Sequence, residues 1–300
     1  MPLVKKEEPM PILPVIVLLY GMPGSGKTSV ATTAKNPVII DTDRGSQRAV
    51  QRVDTLYANN WEDIIGEYNN GTLNAYKTIV IDTAKGMLDD FIQDFVERKD
   101  ERLKKNSLKR FGEMGDVFKD FVSKLQSRGC DLVFICHDKE EKDGDITTHS
   151  PDCTGQSKQL LVRKADQVGY VGYDANGKRT INFGPRYNFI SKDVAELGIV
   201  PVPEFGTAEY SNFMEQLINS VKEKIASRDQ NQKALLDKLS ELRQFLAKAD
   251  SEPEIETLLD SCKELPTIQK IPFFEEVKNE LAKKGWTYDS NTKKFTKTAA

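Results

Sequence analysis

The chain has 300 residues, 38% hydrophobic and 30% charged, a composition that excludes an intrinsically disordered polymer and suits one large domain or a core with an appendage. Lysine and arginine number 43 against 46 aspartate and glutamate, a net charge of −3. No global positive field announces a nucleic-acid binder, so any such site must be a local patch. The four cysteines, Cys130, Cys136, Cys153 and Cys262, contain no C-x-x-C pair, which fits reduced, intracellular usage.

Residues 1–12 carry Lys5-Lys6-Glu7-Glu8 and several prolines. They lack the apolar core of a signal peptide and read as a flexible arm. No apolar run approaches the length of a membrane span, so a cytoplasmic protein without a membrane partner is expected. Val15 to Tyr20 has the length and character of a buried strand. It runs into Gly21-Met22-Pro23-Gly24-Ser25-Gly26-Lys27-Thr28, which fits G-x-x-x-x-G-K-[ST] at every fixed position. Ser29 to Ala34 can open a helix. Strand, glycine-rich loop and helix start make a phosphate cradle. Its glycines let backbone N–H groups approach phosphate oxygens. Lys27 can reach the β- and γ-phosphates, and Thr28 can place its hydroxyl on Mg²⁺. The expected nucleotide-binding set is therefore Gly21, Met22, Pro23, Gly24, Ser25, Gly26, Lys27, Thr28 and Ser29.

Val38 to Ile40 reads as a short strand ending in Asp41-Thr42-Asp43, and Trp61 to Ile65 as a helix closed by Asn69-Asn70-Gly71. Lys77 to Thr83 is an apolar run ending in Asp82, the pattern of a carboxylate that organises Mg²⁺. Met87, Leu88, Phe91, Ile92 and Phe95 share one helical face. From Arg98 to Arg110 seven Lys or Arg face only Asp100 and Glu101. Phe118 to Leu125 suggests another helix, capped at Gly129. Cys130 to Cys136 is a buried strand followed at once by His137. Residues 138–152 are polar, a hairpin tip or a mobile loop. Val168 to Tyr173 and Thr180 to Phe183 pair as strands around Asp174-Ala175-Asn176-Gly177.

Alternation of strands and helices predicts an α/β core with a mostly parallel sheet over residues 13–224. From residue 225 to 300 the pattern is helical, a small C-terminal appendage with a disordered lysine-rich tail from Lys293 and a possible surface for a protein partner. Four features then fall at strand C-termini of one sheet edge: the loop at 21–28, Asp41 and Asp43, Asp82, and His137. Ligands of open α/β sheets bind at that edge. The set suits hydrolysis of ATP, with Thr28 and Asp82 on Mg²⁺, Asp43 or Asp41 activating water, and His137 sensing the γ-phosphate. Cys136, His137, His149 and Cys153 could hold a metal, although their spacing is unlike the usual zinc patterns.

GMPGSGKTS, VIIDTDRG, TIVIDTA and LVFICHDK, in that order, resemble the RecA-like P-loop ATPases. Trp61-Glu62-Asp63, Thr154-Gly155, Asp166-Gln167-Val168 and Tyr170 extend the likeness to phage-type AAA nucleotide-binding proteins, including single-strand-annealing recombinases. It spans roughly residues 13 to 190. The resemblance implies a RecA-like P-loop NTPase core and an ATP- and Mg²⁺-dependent, DNA-stimulated ATPase. It also implies a cytoplasmic setting in a bacterial host, homo-oligomers and single-stranded DNA as partner. Asp43 takes the place of a catalytic glutamate and His137 that of a γ-phosphate-sensing glutamine. DNA-contacting loops would lie near 98–112 and 138–157, and Lys178, Arg179 or Arg186 would touch a neighbouring subunit's ATP. Two other functions fit the phosphate loop: a small-molecule P-loop kinase, and a non-catalytic module in which ATP gates a partner interaction.

Overall fold

The computed structural model describes residues 10–143, 146–185, 188–228, 230–290 and 292–297. It divides into two compact units, Pro14–Lys222 and Glu223–Ala300, the second including Met1–Leu13.

The larger unit opens with β1 (Ile16–Gly21), α1 (Lys27–Ala31), β2 (Pro37–Asp41), β3 (Asp54–Tyr57) and α2 (Trp61–Asn69). Next come β4 (Thr78–Asp82), a π-helical segment (Gly86–Ile92) that continues into α3 (Gln93–Lys99), and α4 (Ser107–Ser127). A hairpin of β5 (Asp131–Asp143) and β6 (Ile146–Pro151) precedes α5 (Gly155–Lys164) and a second hairpin of β7 (Gln167–Tyr173) and β8 (Arg179–Asn182). β9 (Lys192–Asp193), β10 (Ile199–Pro201), α6 (Ala208–Ser211) and α7 (Phe213–Ala226) follow. The main strand order is β10-β8-β7-β1-β5-β4-β2-β3. Neighbours from β7 to β3 run parallel, and β8 and β10 add an antiparallel edge.

The sheet explains the unbroken apolar runs. Every residue of β1 and β4 is buried, as expected where helices cover both faces of a parallel sheet. One face packs under α2, α3 and α4 in a core that includes Trp61, Phe118, Phe121 and Phe134. The Trp61 and Phe121 rings meet edge to face at 5.1 Å. At the opposite, N-terminal end of the strands, Asp131 accepts Val15 N–H at 2.7 Å and pairs with Lys222 of α7 at 2.7 Å.

In the second unit, α8 (Gln230–Lys248), α9 (Glu252–Lys263) and α10 (Thr267–Lys283) precede a small hairpin of β11 (Trp286–Asp289) and β12 (Lys294–Lys297). Leu239, Leu258, Phe273, Val277 and Leu281 form its core, with Trp286 and Phe295 of the hairpin. The mixed α/β architecture, with a large mostly parallel sheet and C-terminal helices, is the one expected for a P-loop NTPase core.

Several local expectations change. The tail is not structureless from Lys293, because Phe295 is buried and orders Lys294–Lys297 as β12. Nor is the whole of 1–12 a free arm: Ile12 N–H donates to Gln269 and Pro11 C=O accepts from Gln232. Residues 1–9, the centre of the Asp143-Gly144-Asp145 turn, Arg186 and residues 298–300 lie outside the described residues. Helix α4 begins at Ser107, inside the basic run, because Asn106 caps it by accepting Lys109 N–H. β5 continues through His137 to Asp143, since β6 supplies it with an antiparallel partner.

Candidate functional site

Sheet register brings the separate motifs to one edge. Gly21 at the end of β1 is level with His137 of β5, and Asp41 at the end of β2 is level with Asp82 of β4. β5 lies between β1 and β4, so the phosphate loop, His137, Asp82 and Asp41 succeed one another across four adjacent strands.

The loop at 21–28 is shaped by its glycines. A Cβ on Gly21 would stand 2.3 Å from Val171 C=O of β7, and Gly26 adopts φ 88°; a side chain is refused at the first and strained at the second. Lys27 Nζ folds back onto Gly21 and Met22 C=O at 2.8 and 2.9 Å. Burial lowers the Lys27 pKa, opposed chiefly by the nearby negative charge of Asp82 and also by Asp138. Met22, Pro23 and Gly24 are exposed on the loop's outer turn. Ser29 is the exception among the nine loop residues. Its hydroxyl accepts Val50 N–H at 3.1 Å and so serves the adjoining segment.

Thr28 Oγ1 donates to Asp82 Oδ2 at 2.7 Å. Burial pushes the Asp82 carboxyl up to about 6, the Thr28 hydrogen bond opposes the shift, and Asp43 and Asp41 add to it. Asp43 and Asp41 thus crowd Asp82 electrostatically, and the Asp82 carboxylate with the Thr28 hydroxyl offers hard oxygen donors of the kind that suit Mg²⁺. The crowding is stabilised by a positive ion and penalised without one.

Asp41 and Asp43 have different work. Asp41 is fully buried, and its carboxylate accepts the N–H groups of Asp43, Gly45 and Ser46 at 3.2, 3.2 and 2.9 Å. It holds the loop after β2 in shape and has little capacity left. Asp43 stands out from that loop with Oδ2 3.7 Å from His137 Nε2. The neighbouring imidazole holds the Asp43 carboxyl below its ordinary range, with burial opposing. His137 Nδ1 is buried without a hydrogen-bond partner. Thr42 and Thr83 lock the two strand ends together, Thr42 Oγ1 donating to Thr83 C=O at 3.0 Å and accepting Thr83 N–H at 2.9 Å. Nothing in the spacing of these two threonines announced that clasp.

A family model described as an AAA domain matches residues 13–194. The chain belongs to the AAA domain family. No curated protein matches the sequence. The match covers every strand end just described, and nucleotide binding is what an AAA domain with a P-loop implies. Orphaned polar atoms collect there: Ser46 Oγ, His137 Nδ1, Asp138 Oδ1 and Arg179 Nε are buried and unpartnered. Buried polar groups without partners are costly, so their concentration at one edge fits a polar, charged ligand.

Other expected groupings of the AAA domain are not assembled. Cys136 and Cys153 face each other with Sγ atoms 3.7 Å apart, but His149 instead meets Asp138, Nδ1 to Oδ2 at 2.6 Å. The four-residue Cys/His set therefore makes no metal site. Four of the seven cations of the basic run are ion-paired, in part by acids of α2 and α3. Arg98 pairs with Glu62 and Asp94, Arg102 with Asp100, Lys104 with Glu101 and Arg110 with Glu97. Lys178 lies in the exposed turn between β7 and β8, whereas Arg179 lies against Gly26 of its own phosphate loop. No helix among the described residues is long and apolar enough to cross a membrane.

Proposed function

We propose that this AAA domain protein is an Mg²⁺-dependent ATPase that works in phage-type DNA recombination, binding or annealing single-stranded DNA as a homo-oligomer. The observation that carries the catalytic part is the pairing of Asp43 with His137 beside the Thr28–Asp82 hydrogen bond. Lys27 and the backbone of residues 21–28 bind the polyphosphate. Thr28 and Asp82 hold Mg²⁺, which when bound supplies positive charge to the phosphate oxygens. Asp43, kept ionised by His137, takes a proton from water as the water oxygen bonds to the γ-phosphorus. The bond from that phosphorus to the bridging oxygen breaks, and ADP leaves as the other product. Asp41 takes no part beyond shaping the loop.

The DNA part rests on the resemblance to annealing recombinases. It is supported by the continuity of β5, which carries His137 and then forms one arm of the β5–β6 hairpin within the expected DNA loop 138–157. The partly ion-paired run at 98–112 gives it less support. Residues 225–300 are assigned to a protein partner. ATP turnover by the full chain, with and without single-stranded DNA, tests the whole reading. DNA-stimulated turnover that disappears in Lys27→Ala is expected. Turnover with no DNA effect would remove recombination, and phosphate transfer to a metabolite would replace hydrolysis with kinase chemistry.

A further inference from the structure

Arg179 opens β8, the return strand of the second hairpin, and its guanidinium lies against the phosphate loop at Gly26. A Cβ on Gly26 would stand 2.8 Å from Arg179 Cζ and 3.0 Å from Nε. The backbone conformation of Gly26 favours glycine, and the absence of a side chain there lets the guanidinium settle this close to the loop. β7 holds the hairpin there through its parallel pairing with β1. Close approach of Val171 C=O to Gly21 leaves no slack between hairpin and loop.

An arginine on a hairpin edge ordinarily extends into water or pairs with a carboxylate. Arg179 does neither in full. It is half-buried, its Nε is fully buried without a hydrogen-bond partner, and it has no ion pair among the described residues. The Tyr173 ring lies 5.8 Å from Cζ, a distant cation–π contact that satisfies no N–H. Tyr210 is the titratable neighbour on which this charge acts. The Nε donor of a guanidinium fork has been desolvated beside a phosphate cradle and left without an acceptor. Such a group is stabilised by an anion with several acceptor oxygens.

We propose that Arg179 is a nucleotide-binding residue acting in cis, its guanidinium donating to the polyphosphate held by its own chain's loop. The β7–β8 hairpin is then a clamp over the nucleotide, and Arg179 is not the residue that reaches a neighbouring subunit's ATP. The inference rests on the nucleotide-binding reading of residues 21–28 and adds a contact from outside the motif.

The test is titration of the full-length protein with ATPγS and with ADP by calorimetry, for wild type, Lys27→Ala, Arg179→Ala and Arg179→Lys. Thermal melts are recorded with and without nucleotide. Both Arg179 variants are expected to bind about 10-fold or more weakly, since lysine cannot reproduce the fork. Their nucleotide-free melting temperature should not fall, because the group removed had no partner. ATPase of an equimolar mixture of Arg179→Ala and Lys27→Ala chains completes the test, with no recovery above the separate proteins expected. Affinity within twofold of wild type in Arg179→Ala, with Lys27→Ala defective, overturns the clamp alone. So does recovered turnover in the mixture, which would place Arg179 in trans. Absence of nucleotide binding by the wild-type chain overturns both the clamp and the reading beneath it.

Discussion

His137 Nε2 lies 3.7 Å from Asp43 Oδ2 although β4 separates their strands in the sheet. The loop after β2 turns Asp43 back across that gap, and Asp41 holds the loop by three backbone N–H groups. The two acids should therefore fail differently. Asp43→Asn is expected to lower the ATP turnover rate by about 100-fold or more, the scale of a lost general base, with ATPγS affinity nearly unchanged. Asp41→Ala should instead lose about 3 kcal/mol of stability by stripping the loop of its acceptor. Steady-state kinetics and chemical denaturation separate the two outcomes.

Asp82 makes the site sensitive to pH. Its folded-state carboxyl titrates near about 6, above the ordinary value of 3.8. Between those values the folded chain holds more protons than the unfolded one, so this group's contribution makes stability fall as pH rises through that window. Asp82→Asn should flatten that part of the nucleotide-free stability profile while abolishing Mg²⁺-dependent turnover. In the wild type, the proton competes with the ion, and Mg²⁺-dependent nucleotide affinity should weaken as pH drops below about 6. Melting curves and titrations from pH 5 to 8 check both signs.

Gly21 has no room for a methyl group, because Val171 C=O would lie 2.3 Å from its Cβ. Gly21→Ala is expected to cost about 1–3 kcal/mol, the range of core overpacking, and to weaken nucleotide binding by displacing the loop from β7. Gly112→Ala, inside α4 with no atoms near its Cβ, is the control and should leave nucleotide affinity at wild type while raising stability by about 0.5–1 kcal/mol. Differential scanning calorimetry and nucleotide titration measure the contrast.

The basic run offers a test of where DNA acts. Arg98 and Arg102 are already engaged by Glu62, Asp94 and Asp100. Replacing both with alanine should leave DNA-stimulated turnover and its salt dependence nearly unchanged, since paired cations release few counterions from DNA. A marked loss of stimulation would show that these pairs open on contact with the phosphate backbone.

Motifs carried by consecutive residues were legible in the chain. The phosphate loop, the strand ending in Asp82, the Asn-Gly hairpin and the four C-terminal helices all follow from local periodicity or turn chemistry. Contacts set by tertiary packing were not. β3 is short and half exposed, so Asp54–Tyr57 carries no strong apolar signal. Arg179 and Gly26 are far apart in sequence and are joined only by β1–β7 pairing. The distinction between Asp41 and Asp43 was equally hidden, because it depends on which carboxylate the following loop wraps around. A seven-to-two charge ratio suggested an open cationic surface, but the structure supplies partners from α2 and α3 that a linear count does not see.

β5 has a mechanical consequence. It is one continuous strand of 13 residues, with its first half wedged between β1 and β4 and the second half clear of them. At roughly 3.3 Å per residue, the six residues after His137 span about 20 Å. No glycine or proline interrupts them, and pairing with β6 stiffens them as a ribbon. A small tilt at His137 is thus magnified along a rigid beam, so the paired ends of β5 and β6 far from the sheet travel farthest for the least disturbance at the pivot.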